Sequence, residues 1–194
     1  MPKIMRKKKI SAPLVIGLVG TAGSGKDTAA SYIKKKYAAK EFRFSYLLVE
    51  VLKIFGIEVS RENLAWLMNV LKRKYGKDIL TKAMEKTIRE KAEDQIMVVN
   101  GLRLPPDYLF LRKFERNVLI FLDAPVKIRW QRVCKRKEKS DDNVSFAEFK
   151  KLVSQENEKH IAELGKKADL VIINDGGLAK FQRNIDKIMS EILN

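Results

Sequence analysis

The stretch Gly20-Thr21-Ala22-Gly23-Ser24-Gly25-Lys26-Asp27-Thr28 decides how this chain is read. Before it lies an apolar run, Leu14-Val15-Ile16-Gly17-Leu18-Val19, that reads as a buried strand. After it, Ala29-Ala30-Ser31-Tyr32-Ile33 reads as the start of a helix. A strand, a glycine-rich turn, a Gly-Lys pair and a helix, in that order, make a phosphate site. Glycines let the backbone wrap an anion so that its N–H groups point inward. The helix that follows aims the positive end of its dipole at the same place. Lys26 then reaches the outer phosphates of a nucleoside triphosphate. Gly20, Gly23, Ser24, Gly25, Lys26, Asp27 and Thr28 are the expected nucleotide-binding set.

One position departs from the pattern. After Gly-Lys such a loop carries Ser or Thr, whose hydroxyl binds magnesium. Here Asp27 stands there and Thr28 follows. A carboxylate in the first turn of a helix suits the dipole, and hard cations take oxygen ligands. It also brings negative charge close to the phosphates. Either Asp27 or Thr28 is the candidate magnesium ligand, and the sequence leaves both open.

Outward from the loop, 194 residues suit one domain with a full core, and 45% of them are apolar, which fits a globular fold. No run approaches the about 18 apolar residues that a membrane span needs. Met1 to Ile10 carries five basic residues and lacks the apolar core of a signal peptide. The one cysteine, Cys134, excludes an internal disulfide, so a cytoplasmic, reducing setting is expected. The formal net charge of +16 attracts polyanions and is spread along the chain. A charged fraction of 33%, rich in lysine, also fits the ion-pair networks of a thermophile. Basic and aromatic residues do not interleave as in single-strand binders, which places nucleic acid behind small molecules as a partner.

Apolar runs alternate with helical patterns along the rest of the chain. A basic helix is expected from Asp27 to Lys40, then a short strand at Phe42-Arg43-Phe44. From Tyr46 to about Lys91 the pattern is helical, broken near Gly56 and Gly76. Ile96-Met97-Val98-Val99 reads as a strand ending in Asn100-Gly101-Leu102-Arg103, and Pro105-Pro106 as a sharp break. Val118 to Leu122 and Leu170 to Ile173 are the last strands. Helices are expected at Val126 to Lys137, Phe146 to Leu164 and Leu178 to Ile192, with a polar break at Ser140 to Asn143. Nearly continuous apolar strands, each followed by helix, indicate an α/β fold in three layers, a five-stranded parallel sheet with helices on both faces. Ligands in such folds sit at the carboxyl ends of the strands. Gly20, Asn100, Arg103, Asp123, Asn174 and Asp175 all lie at those ends.

These segments resemble the P-loop nucleoside monophosphate kinase superfamily. The Ser-Gly-Lys-Asp-Thr form is most similar to its deoxynucleoside monophosphate kinase and dephospho-CoA kinase relatives. The resemblance rests on Gly20 to Thr28, Arg61-Glu62-Asn63-Leu64, Asn100-Gly101-Leu102-Arg103, Leu122-Asp123-Ala124-Pro125 and the basic segment Arg129 to Lys139. It implies one P-loop kinase domain over residues 1–194, with a helical acceptor-binding insertion at 46–91 between the second and third strands and a lid at 129–143.

Phosphoryl transfer requires alignment and charge stabilisation more than covalent chemistry. Arg129, Arg132 and Arg136 recur at helical spacing and share a face, and arginine forks match phosphate oxygens. In a kinase, Arg132 and Arg136 would close with Lys26 on the transferring group; a solvated basic face is the plainer alternative. Arg103 is expected to hold the acceptor phosphate. The resemblance adds Arg61 and Arg73 as acceptor contacts, and Asn174 and Asp175 as a cradle for the donor base. Related chains carry an acidic residue before Gly101, whereas here it is Asn100, which cannot take a proton. Asp123 is the nearest carboxylate to replace it, as a metal ligand or as a plain strand-end turn. His160, the only histidine, reads as a surface residue.

The sequence therefore predicts ATP- and Mg2+-dependent phosphoryl transfer to a nucleoside or deoxynucleoside monophosphate. Transfer to a ribose hydroxyl, as by a dephospho-CoA kinase, is the alternative within enzymes. A nucleic-acid-associated ATPase or nucleotide switch is the alternative outside them.

Overall fold

The computed structural model describes residues 12–91, 95–136, 144–153 and 156–194. Strand β1 (Leu14–Gly20) is buried along its whole length, as a continuous apolar run predicts for a strand covered on both faces. The others are β2 (Lys40–Phe42), β3 (Ile96–Leu102), β4 (Arg116–Asp123) and β5 (Leu170–Ile173). All pair in parallel, in the order β2-β3-β1-β4-β5. Their carboxyl ends therefore lie along one edge, with the glycine loop at the centre. The helices are α1 (Lys26–Lys36), α2 (Phe44–Ile54), α3 (Arg61–Tyr75), α4 (Ile79–Glu90), α5 (Pro105–Leu111), α6 (Val126–Arg136), α7 (Phe146–Leu152), α8 (Glu156–Lys166) and α9 (Leu178–Leu193).

The two-residue period of β1 divides the core. Leu14, Ile16 and Leu18 face α1 and α9, where Ala29, Ile33, Phe181 and Ile185 meet them. Val15 and Val19 face Met84 and Ile88 of α4, Phe110 of α5, and Ile161 and Leu164 of α8. Fully burying one such side chain contributes about 1.5–3 kcal/mol. Gly17 falls on this second face, where the side chains of Leu102 and Leu111 fill the space a Cβ would take. Helices α2, α3 and α4 lie between β2 and β3, and Leu48, Leu52 and Leu67 give that insertion its own small core.

The five-stranded parallel architecture is as expected, but several boundaries differ. Helix α1 stops at Lys36 rather than Lys40, because Ala38 takes a positive φ and Lys40 already pairs with Met97. The second strand is Lys40–Phe42, not Phe42–Phe44. Phe42 closes the strand, and Phe44 opens α2 with its ring edge-on to Phe110 at 5.8 Å. Both rings still reach the same core, so alternation alone could not separate a strand from a strand end followed by a helix start. Pro105 and Pro106 begin a helix, α5, that periodicity did not reveal; a proline in the first turn gives up no hydrogen bond. The single helix expected at Phe146 to Leu164 is two, α7 and α8. Residues 137–143, which hold the rest of the expected lid and the polar break, and residues 1–11 lie outside the described ones.

A bulge in β3 bears directly on the site. Asn100 pairs with Leu18, and Leu102 pairs with Val19, so Gly101 is the extra residue, at φ 92°. Val98 faces the α1 side of the sheet, and Met97 and Val99 the other. Without the bulge Leu102 would follow Val98 and Asn100 to the α1 side. With it, Leu102 joins the other core, while Asn100 keeps the α1 side.

Candidate functional site

The loop between β1 and α1 is shaped for an anion. Gly23 (φ 78°) and Gly25 (φ 101°) are left-handed, the latter as the N-cap of α1. A Cβ on Gly23 would strike the backbone of Arg129, and one on Gly25 the amide of Asn174. The loop closes with Ser24 N–H donating to Thr21 O at 3.2 Å. Among the described residues the amides of Gly25, Asp27 and Thr28 have no acceptor, so the first turn of α1 presents donors and a dipole to whatever lies in front of it. The Lys26 ammonium folds back over the loop and donates to the carbonyls of Gly20 and Thr21.

Beside the loop lies a polar cluster that only the fold assembles. Asn100 is 4% exposed at the end of β3. Its amide nitrogen donates to Asp27 Oδ1 at 2.9 Å and to Glu41 Oε1 at 3.0 Å. Arg43 bridges the same two carboxylates, with Nη2 at 2.9 Å from Asp27 and Nε at 2.8 Å from Glu41. The flanking carboxylates fix which end of the Asn100 amide is the donor. Burial pushes the Asp27 carboxyl up, but the Asn100 hydrogen bond and the charges of Arg43, Lys26 and Arg136 outweigh it and hold Asp27 below its ordinary value.

Helix α6 closes the other side. Arg129 is buried, donating from Nη1 to Thr21 Oγ1 at 2.6 Å and from Nε to Ala124 O at 3.1 Å. Arg132 donates to Asn174 O, Asn174 Oδ1 and Gly176 O at 3.0–3.2 Å. Asn174 in turn donates from Nδ2 to Ser24 O at 2.9 Å, tying the turn after β5 to the loop. Arg136 sits where its charge acts on Asp27. The three arginines thus serve three sectors around the loop. A cavity of about 210 Å³ opens between Gly25, Thr28, Arg132, Asn174, Leu178 and Phe181. A larger open depression of about 440 Å³ runs along α4 from Lys82 to Glu90 and includes no loop residue.

The remaining predicted residues are spread more widely. Thr28 lines the cavity, while Asp27 faces Asn100. Asp123 Oδ1 accepts from the Ala124 amide at 2.8 Å and Asp123 O from Asn174 N at 2.7 Å, the geometry of a strand-end turn. Asp175 points outward to Lys180. Arg103 is exposed beyond β3. Its neighbour Asp107 is buried and takes the amides of Arg103 and Leu104; burial pushes its carboxyl up, against the pull of Lys72 and Arg103. The charge of Lys72, on α3, thus acts on a carboxyl in the first turn of α5. Arg73, exposed, forms no ion pair among the described residues, and Arg61 opens α3 on the surface. His160 meets Glu163 on the surface of α8, and Cys134 is a free thiol on α6. The sequence reading missed Glu41, Arg43 and Lys72. The one available signal was Asn100 itself: a buried amide needs partners, and a neighbouring strand is where they come from.

Among the described residues no group of three or more His, Cys, Asp or Glu forms a metal site, and no helix is long and apolar enough to cross a membrane. A single carboxylate beside phosphate oxygens is nevertheless how magnesium is commonly held, and the solvent-facing Asp27 carboxylate fits that donor set.

A family model described as AAA domain matches residues 16–151. The UPF0200 protein PH1008 of Pyrococcus horikoshii is 30% identical over 93% of this chain and 98% of its own length. The UPF0200 protein MJ1399 of Methanocaldococcus jannaschii is 28% identical over 93% and 91%. These relatives come from thermophilic archaea, in keeping with the composition. Among solved structures, shikimate kinase from Bacteroides thetaiotaomicron aligns with a TM-score of 0.65 at 14% identity over 93% of this chain and 99% of that one. Shikimate kinase from Acinetobacter baumannii aligns with a TM-score of 0.55 at 18% identity, over 93% of each chain. At such identities the likeness is one of fold, that of P-loop kinases. The chain belongs to the AAA domain family and to the UPF0200 proteins.

Proposed function

We propose that this UPF0200 protein is a magnesium-dependent kinase that moves the γ-phosphoryl group of ATP to a small nucleotide-like acceptor. Nucleoside and deoxynucleoside monophosphates are the first acceptors to try. The observation that carries the reading is the convergence, at one sheet edge, of unsatisfied α1 amides, Lys26, the Asp27–Asn100–Glu41–Arg43 cluster and the α6 arginines. Phosphoryl transfer needs such a set of fixed donors and cations around an in-line path.

In this reading the donor phosphates rest on the loop glycines and the first turn of α1. Lys26 leaves the carbonyls of Gly20 and Thr21 for the outer phosphates. Arg129 holds Thr21 in place, and Arg132 and Arg136 neutralise charge from the α6 side. The cavity beside Asn174 takes the donor base, with the Arg132 guanidinium at its rim, where a planar cation stacks well. Asp27 would hold the magnesium, with Thr28 the second candidate and Asp123 already occupied in its turn. Magnesium held there would supply positive charge against the charge that develops in phosphoryl transfer. Arg103 and Lys72, between the sheet edge and the helical insertion, attract an anionic group of the acceptor. Arg61 and Arg73 are outer contacts on the same insertion.

The test is a transfer assay with labelled ATP and magnesium against nucleoside monophosphates, deoxynucleoside monophosphates and dephospho-CoA. Label in one acceptor is the expected result. Tight ATP binding with no label in any acceptor would overturn the kinase reading and favour an ATPase or nucleotide switch. Nucleic-acid-stimulated hydrolysis, with its steep salt dependence, would then be measured.

A further inference from the structure

Glu41 on β2 belongs to the polar cluster at the site, but the kinase reading above gives its carboxylate no task of its own. Glu41 stands one residue before the end of β2, at the strand edge where ligands bind. Its side chain is only 9% exposed. Asn100 and Arg43 both donate to the same oxygen, Oε1. Among the described residues Oε2 accepts no hydrogen bond. Glu41 and Asp27 are joined through a single amide nitrogen, so the open oxygen lies one amide group from the carboxylate that fits magnesium.

From this geometry we propose that Glu41 orients and deprotonates an acceptor hydroxyl, so that the acceptor of this kinase is an alcohol, such as a ribose hydroxyl, rather than a phosphate. The inference rests on the phosphotransfer reading and narrows its substrate class. An ionised carboxylate only accepts hydrogen bonds. A hydroxyl brings the hydrogen that Oε2 lacks. A phosphate monoester, largely dianionic at neutral pH, brings none, and would set its charge against Glu41 and Asp27 together. Asn100 then has a definite task. An acid at that position would be a third carboxylate against the other two, whereas the amide has two hydrogens and spends one on each. Asn100 thus acts as a positioning residue that fixes Glu41.

The step balances without any further reactant. The acceptor oxygen forms a bond to the γ-phosphorus, and the bond from that phosphorus to the β,γ-bridging oxygen breaks, releasing ADP. The acceptor proton passes to Glu41 Oε2 and from there to solvent. In a loose transition state the proton leaves late, so a well-placed carboxylate suffices without being a strong base.

The experiment compares wild type, Glu41→Gln and Glu41→Asp at full length, with labelled ATP and magnesium. One acceptor panel carries hydroxyl nucleophiles (nucleosides and dephospho-CoA), the other phosphate nucleophiles (nucleoside monophosphates). Wild type is expected to label a hydroxyl acceptor. Glu41→Gln should then lower kcat by about a hundredfold or more, with the ATP dissociation constant unchanged. Glu41→Asp keeps the charge toward Arg43 but withdraws the oxygen by a methylene. It should also be slow, and it serves as the test should the glutamine variant fail to fold. Label only in phosphate acceptors, on their phosphate, would overturn the assignment of Glu41 and leave the kinase reading standing. Transfer to a hydroxyl that both variants sustain within a few-fold would overturn it as well. ATP binding without transfer in either panel would overturn both readings together.

Discussion

Replacing Gly23 by alanine tests whether α6 holds the phosphate loop in shape. Gly23 has φ 78°, and an alanine there costs about 1–3 kcal/mol for the backbone alone. Its Cβ would stand 2.5 Å from the carbonyl oxygen of Arg129 and 2.9 Å from its Cα. Those are backbone atoms of a helix whose Arg129 side chain is anchored to Thr21 and Ala124, so they cannot swing aside. Overpacking of this kind adds about 1–3 kcal/mol, for a total of roughly 2–6 kcal/mol. In a chain of this size each kcal/mol lowers the melting temperature by about 2–4 °C. Gly101 supplies the control. It has φ 92°, and a Cβ there would meet nothing within 4 Å, so Gly101→Ala carries the backbone cost alone. Thermal unfolding of the two variants side by side, followed by circular dichroism, isolates the contact with α6. Gly23→Ala should melt roughly 2–12 °C below Gly101→Ala. It should also bind ATP more weakly, because the loop is pushed off its support. Equal melting temperatures, or a lower one for Gly101→Ala, would refute the argument that the α6 backbone clamps the loop.

Three other perturbations address different links. Lys26→Ala removes the ammonium now held by Gly20 O and Thr21 O, and should lower the transfer rate by about a hundredfold to a thousandfold, as loss of one transition-state donor does, measured by single-turnover kinetics. Asn174→Ala strips the Ser24 carbonyl of its buried partner and Arg132 of one of its three acceptors, the side-chain Oδ1. A stability loss of about 1–3 kcal/mol in urea titration is expected, together with weaker ATP binding. Asp169 is pushed up by partial burial, but the Arg112 fork and the Leu119 amide more than offset this and hold it below its ordinary value of 3.8. A carboxyl lowered in the fold stabilises above its unfolded value, and that contribution disappears as pH falls through the folded value. Wild type should therefore exceed Asp169→Asn in melting temperature at neutral pH, and the gap should close below about pH 4; a gap that stays constant with pH would assign the effect to packing instead.

The loop and the sheet were legible because their signals are contiguous. Gly20 to Thr28 carries the positive-φ glycines, the lysine and the helix start within one turn of chain. The strands β1, β3, β4 and β5 announce themselves as apolar runs that no other element explains. Strand β2 was harder, since Lys40–Phe42 is three residues long with a single buried apolar side chain. Helix α5 was hidden because Pro105 and Pro106 punctuate the chain and open a helix in the same two residues. Asp123 shows the limit for site residues. A carboxylate at a strand end suits a metal as well as a turn, and only the Ala124 and Asn174 amides around it assign the turn.

By itself the sequence determined the class of fold, the loop that suits a phosphate, and the edge of the sheet to which polar residues would converge. Local backbone conformation and hydrophobic period set these, and both are written in neighbouring residues. Tertiary structure alone decided which side chains meet at that edge. Arg129 reaches Thr21 across 108 residues, and Asn174 reaches Ser24 across 150. Asn100 reaches Glu41 across 59, because the strand order sets β2 beside β3 and the register pairs Glu41 with Val98, one same-face step before Asn100. A hydrogen bond acts over about 3 Å, so its partner is fixed by which strands lie side by side and not by distance along the chain.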